Sequence, residues 1–403
     1  MFAKKDRYCD VLRMNQKDFL LFFKVIFLII VILLSSWSGC IYKNQKCDGS
    51  TEGEQSVISN TFPLTVPDWS DEPYHDYEKT KRFLFSLEDR FPDYVDLFSI
   101  GKSVLRRDIW CILISNERKY SKKYDCVIDG CIHGNEWEAG ESCLYLAEYL
   151  LINAKNASMA SMLNETNIFI IPLLNPDGRE SDERWNENGI DLNRNFDDHF
   201  GRFRSGNFPL GKLFGRFKIP LIHHPFRKNI LLSEYSTNCG REPFSEPETR
   251  SLKLFMESLD NLAFYMNCHT ALHGVLPVVN VDYKPEFFIS ENEKNVYDHA
   301  EDWISANSEY SSCHVDDVSF SGAGFAHHWS FKTFRAPSFC FELLSTDYEP
   351  RFGHGDHDHL NHWMQTTLPV FMFMLVNREQ FNNWEIPSNY PDLPSGIPPD
   401  PIH

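Results

Sequence analysis

The sequence predicts an α/β fold, a single domain built on one mixed, largely parallel twisted sheet flanked by helices, with one N-terminal membrane segment ahead of it. Three observations predict it. Short apolar runs suited to buried strands alternate with segments whose apolar residues recur at helical spacing. The globular pattern continues from about Trp69 to about residue 378 with no internal repeat. With 403 residues and 42% apolar composition, the chain can bury one large core or two modest ones.

The elements follow in chain order. Residues 1–18 carry Lys4, Lys5, Arg7, Arg13 and Lys17, a basic region ahead of an apolar stretch at 19–39 whose only charge is Lys24. That stretch approaches the ~20 residues a membrane helix needs, and a secretory signal has the same layout. Cleavage before Cys40, leaving it lipidated, is a third option. In each case the positive flank stays inside, so the rest of the chain is expected to be membrane-anchored or exported, outside the cytoplasm. Residues 40–65 are polar and aperiodic, a linker. Residues 66–380 form the expected globular domain, and 381–403 a tail with six prolines after Glu385.

Within the domain, Asp125 to Ile132 reads as a short apolar strand. The next segment places Ala139, Cys143, Leu144, Ala147, Leu150 and Leu151 on one helical face. Asn167 to Leu174 reads as a strand ending in the turn Asn175-Pro176-Asp177-Gly178. Leu262 to Cys268 and Ser338 to Phe341 are two more buried strands. Ser245-Glu246-Pro247-Glu248 reads as a helix start, with Ser245 as N-cap and a structural role only.

A net charge of −18 argues against nucleic acid as a partner, because phosphate contacts need clustered Lys and Arg. The exception is residues 199–241, with eight Lys or Arg and Glu234 as the lone acid. This basic insertion reads as a solvated loop, or as a surface for anionic substrates. Cys131, Cys268 and Cys340 sit in apolar runs as small buried hydrophobes. Cys40, Cys47, Cys239 and Cys313 are disulfide candidates with no pairing assigned.

Chemistry enters with Cys131-Ile132-His133-Gly134-Asn135-Glu136, after a strand and before a helix. His133 and Glu136 stand three apart, so one turn can aim both at one point. Zinc in a catalytic site takes three protein ligands, and His269, ending its own strand, is available as a third. Further motifs follow in order: Asn175-Pro176-Asp177-Gly178, Arg184-Trp185-Asn186, Gly189-Ile190-Asp191-Leu192-Asn193-Arg194-Asn195-Phe196, His269 and Phe339-Cys340-Phe341-Glu342-Leu343.

As an ordered set spanning about residues 70–375, these motifs resemble the zinc metallocarboxypeptidases of the carboxypeptidase A, B, T and E type. The resemblance implies one Zn2+ held by His133, Glu136 and His269. It implies Glu342 as the general base toward a zinc-activated water and Arg184 as the stabiliser of the oxyanion. It implies Asn193 and Arg194 as the grip on a terminal carboxylate, so peptide or protein C-termini are the expected substrate and a monomer the expected state. Physical chemistry agrees: a carboxylate can take and return a proton, and a guanidinium binds a carboxylate bidentately. Counting back from Glu342, Phe320 falls where the family carries a mobile tyrosine, keeping a hydrophobic lid without its hydroxyl. The same count puts His327 at the base of the specificity pocket, where a polar or acidic side chain would suit an imidazole. His223, His224, His354, His357, His359 and His362 read as surface histidines. Two alternatives stay open: a zinc amidohydrolase of the same fold acting on another amide, and a non-catalytic peptide-binding protein.

Overall fold

The computed structural model describes residues 64–71, 74–116, 123–200, 220–224, 227–231, 239–270, 274–276, 289–311, 323–343 and 357–394. The expected membrane segment at 19–39, nearly all of the linker and Phe320 lie outside these residues. Among the described residues, no helix is long and apolar enough to cross a membrane.

Helix α1 (Tyr77–Arg90) starts where the Asp76 carboxylate accepts from the Lys79 amide at 2.8 Å, satisfying a donor the helix cannot. Strands β1 (Val95–Lys102), β2 (Asp108–Ile114) and β3 (Tyr124–Asp129) follow, then α2 (Trp137–Ile152), α3 (Ala157–Glu165), β4 (Thr166–Ile171) and α4 (Pro176–Ser181). A two-stranded hairpin, β5 (Pro220–His224) with β6 (Arg227–Leu231), falls within the basic insertion. The chain continues through α5 (Pro247–Met256), β7 (Leu262–Thr270), β8 (Gly274–Leu276), α6 (Glu291–Asn307), α7 (Ala326–Phe334), β9 (Ser338–Leu343), α8 (His357–Val376) and α9 (Arg378–Asn383).

Seven strands form one sheet in the order β1-β2-β4-β3-β7-β9-β8. Pairing is parallel across β4-β3-β7-β9 and antiparallel at β1–β2, β2–β4 and β8–β9. The sheet is therefore mixed as expected, but parallel pairing is confined to its four central strands. The tight turn that joins β1 to β2, closed by Ser103 N–H to Arg107 O at 2.9 Å, allows only an antiparallel partner.

Both sheet faces are buried, and alternation along the strands shows it. Cys126, Ile128, Ile168, Ile170, Phe264, Met266 and Cys268 join α2 and α8 on one face. Val127, Phe169, Ile171 and Tyr265 join Leu252 and Met256 of α5 and Ala326 and Trp329 of α7 on the other. Cys131, Cys268 and Cys340 are buried within this packing, as read from their surroundings. Cys239 is buried too, and Cys40, Cys47 and Cys313 lie outside the described residues.

Two local expectations need correcting. The strand expected over Asp125 to Ile132 ends at Asp129, because Cys131 turns the chain with φ of +50°. The N-cap of α5 is Glu246 rather than Ser245, with Pro247 supplying the first helical position. The Ser245 hydroxyl is occupied elsewhere, accepting from Asn195 Nδ2 at 2.9 Å and donating to Glu246 Oε1 at 2.9 Å. Beyond α9 the chain runs without regular structure through residue 394, yet it stays tied to the domain. Asn377 Oδ1 accepts from the amides of Ser388 and Asn389.

Candidate functional site

The site lies at the carboxyl ends of the central strands, where open α/β sheets gather their functional loops. Beyond β3, a turn closed by Glu136 N–H to His133 O at 3.1 Å brings both side chains to one side. The turn has no room to spare. A Cβ on Gly134 would come within 2.0 Å of the Gly178 backbone, so only glycine fits where this loop crosses α4. His269 arrives on β7, and β9 pairs it in register with Glu342.

His133, Glu136 and His269 are all buried, and one ligand atom from each lies within 4.8 Å of the other two. Glu136 reaches both imidazoles, with Oε1 2.8 Å from His133 Nδ1 and Oε2 2.8 Å from His269 Nδ1. The two Nδ1 atoms are 3.1 Å apart. Burial acts to raise the Glu136 pKa, but His133 and His269 outweigh it and the net direction is down. For His269, burial lowers the pKa while Glu136 raises it further, and the net direction is up. Two nitrogens and a carboxylate oxygen, all in reach of one point, form a donor set that fits zinc.

The remaining predicted residues surround this group. Asp191 accepts from His133 Nε2 at 3.1 Å and from Arg184 Nε at 3.0 Å, while Arg184 NH1 lies 3.3 Å from Glu136 Oε1. Although burial would raise the Asp191 pKa, Arg184 and His133 hold it well below the usual range. Asn193 is anchored at both ends of its amide. Its Oδ1 accepts from the Ala326 amide of α7 at 2.9 Å, and its Nδ2 is 3.1 Å from His269 Nε2. Arg194 donates to Asn193 O at 2.7 Å and lies 4.5 Å over the Phe325 ring. Among the described residues, no carboxylate lies within ion-pair distance of its guanidinium.

Glu342 has its Oε2 buried with no hydrogen-bond partner among the described residues. Burial pushes its carboxyl pKa upward against the pull of His269. His327, on the first turn of α7, is buried with its Nδ1 unpartnered among the described residues. Burial, then His328 and His269, holds its pKa well below the usual value, so the ring is neutral.

Sequence reasoning missed the polar groups behind these side chains. Asp191 sat inside a quoted motif, yet nothing local shows that it faces His133. Asp198 binds His199 Nδ1 at 2.5 Å and lies 3.3 Å from His328 Nδ1, beside His327. Behind His269 stand Asn267 and Asp129, two positions that no spacing rule connects.

Comparison with known proteins agrees with this geometry. Residues 80–353 match the family described as "Zinc carboxypeptidase". Carboxypeptidase D of Anas platyrhynchos is 32% identical over 214 residues, covering 50% of this chain and 15% of that protein. The carboxypeptidase N catalytic chain of Homo sapiens is 28% identical over 230 residues, covering 53% of this chain and 45% of that one. The chain therefore spans less than half the length of either relative. Among solved structures, bovine thrombin-activatable fibrinolysis inhibitor in complex with tick carboxypeptidase inhibitor aligns with a TM-score of 0.58 at 19% identity, covering 77% of this chain and 98% of that one. Carboxypeptidase A from Helicoverpa armigera aligns with a TM-score of 0.56 at 21% identity, covering 78% of this chain and 75% of that one. At such identities the likeness concerns the fold. The family match covers most of the domain and contains every residue of the site, and this chain belongs to the zinc carboxypeptidase family.

Proposed function

We propose that the protein is a zinc-dependent metallocarboxypeptidase that hydrolyses the C-terminal peptide bond of peptides. One observation carries the reading: three donors for a metal gather at one point beside Glu342, whose buried Oε2 has no hydrogen-bond partner among the described residues. His133, Glu136 and His269 would hold the zinc. When bound there, zinc supplies Lewis acidity toward water and the scissile carbonyl.

The chain's own residues account for the rest. Arg194 is partly desolvated, and having no ion-pair partner among the described residues suits it to receive the terminal carboxylate of a peptide. Asn193, held by the Ala326 amide, keeps the adjoining wall fixed. Glu342 takes a proton from the attacking water and returns it to the leaving amine, and its upward-shifted pKa favours both transfers. Arg184, oriented by Asp191, presents its charge where the oxyanion develops. His327, as a neutral ring with an open Nδ1, suits a polar C-terminal side chain better than an aliphatic one.

The test uses the full chain supplied with zinc and a mixed library of free-acid and C-terminally amidated peptides, with Glu342→Gln in parallel. Loss of one residue from free-acid peptides alone, absent in the variant, is the expected outcome. Cleavage of amidated or acylated substrates in preference would replace this reading with the amidohydrolase one. Zinc binding without any cleavage would leave a peptide-binding protein.

A further inference from the structure

His269 meets two partners at the same nitrogen. On one side, Nε2 lies 2.5 Å from Asn267 Oδ1, and on the other, 3.1 Å from Asn193 Nδ2. The amide of Asn193 cannot turn over, because its Oδ1 is committed to the Ala326 amide. A donor and an acceptor therefore compete for one ring atom. If Nε2 carries the proton, it donates to Asn267 Oδ1 and leaves the Nδ1 lone pair toward His133 and Glu136. If Nε2 is bare, it accepts from Asn193, and the proton of the neutral ring moves to Nδ1, where it blocks coordination.

What decides is the orientation of the Asn267 amide, and that is set one strand away. Asp129 on β3 is paired in register with Asn267 on β7. Its Oδ1 accepts from Asn267 Nδ2, and its Oδ2 accepts from the Tyr265 hydroxyl at 2.5 Å. Asp129, Asn267 and Tyr265 have no solvent exposure, so no water is at hand to replace a lost partner. An oxygen at Asp129 Oδ1 forces Asn267 to present its nitrogen there and its oxygen to His269.

We propose that Asp129 is a positioning residue for the metal site, acting through Asn267 to keep His269 in the tautomer whose Nδ1 can bind a cation. This rests on the reading of His269 as a metal ligand. The protonation state of Asp129 does not alter the chain of contacts. Burial pushes its carboxyl up to about 7, against the hydrogen bonds from Tyr265 and Asn267. A proton there settles on Oδ2, where the Tyr265 hydroxyl can turn to accept it, and Oδ1 remains an acceptor.

The experiment measures zinc affinity of the full chain by chelator competition, with circular dichroism as the check on folding. Wild type and His269→Ala establish first whether the metal-site reading holds. Asp129→Val removes the acceptor at similar volume, and its zinc Kd is expected to rise about 10–100-fold, the usual cost of losing an outer partner of a metal ligand. At saturating zinc the kcat should recover toward wild type with KM unchanged. The exchange D129N/N267D then places a carboxylate directly on His269, with the amide introduced on β3 bridging back to Tyr265. It should restore affinity to within about threefold of wild type, which general repair of packing would not do. A folded Asp129→Val protein with wild-type affinity overturns the proposal, as does a folded exchange variant no tighter than Asp129→Val. Absence of zinc binding by wild type itself refutes the metal-site reading and the proposal with it.

Discussion

The two arginines of the site differ in ways that kinetics can separate. Arg184 is held on Asp191 and aimed over Glu136, and in the proposed mechanism it acts where charge develops during reaction. Arg194 lies over Phe325 and makes no ion pair among the described residues, and in the proposed mechanism it binds a carboxylate already present. Arg184→Ala is expected to lower kcat by about 10²–10³ with little change in KM, the scale seen when an oxyanion donor is removed. Arg194→Met should act mainly on KM, and only for substrates with a free C-terminus. Steady-state kinetics on matched free-acid and amidated peptides, with zinc content measured for each protein, checks both. Equal losses in kcat and KM for the two variants would show that they form one unit.

At the scale of elements, helix α5 holds the loop that carries Arg184. Glu248 in its first turn accepts from the Val104 amide at 3.0 Å and from Asn186 Nδ2 at 3.1 Å, joining helix, hairpin and loop. Burial pushes the Glu248 carboxyl up to about 7, against the hydrogen bonds that Asn186 and Val104 donate to it. A carboxyl whose folded pKa is raised stabilises the fold below its unfolded pKa, and that contribution is lost as pH rises through 7. Glu248→Gln cannot ionise, so it should lose less stability than wild type between pH 5 and pH 8. The difference should be on the order of 1–3 kcal/mol. Because Asp129 shifts in the same direction, the variant should retain part of the slope. Thermal midpoints of both proteins across that pH range measure it, and parallel curves would show that Glu248 stays ionised in the fold.

For the whole molecule, the three candidate metal donors join segments that are far apart in sequence. His133 and Glu136 follow β3, while His269 lies on β7, 136 residues after His133. A cation between them would therefore stabilise the central sheet against global unfolding. At a free zinc concentration near a thousand times Kd the gain should be about 4 kcal/mol, appearing as a higher thermal midpoint. Chelation should reverse it, and His269→Ala should show little response. An unchanged midpoint in wild type on adding zinc would mean that the three donors do not act as one site.

What depends on neighbours along the chain was legible in the sequence. Alternating apolar runs specified the central strands and α2, because burial on both faces leaves a local pattern. The spacing of His133 and Glu136 marked two of the three donors, since a single turn aims both. The rest came from the way the chain folds back on itself. Antiparallel outer strands, the pairing of His269 with Glu342, Asp191 behind His133, and Asp129 behind Asn267 all follow from strand order and register. Those are set by long-range packing of both sheet faces, and they leave no period in the sequence to read.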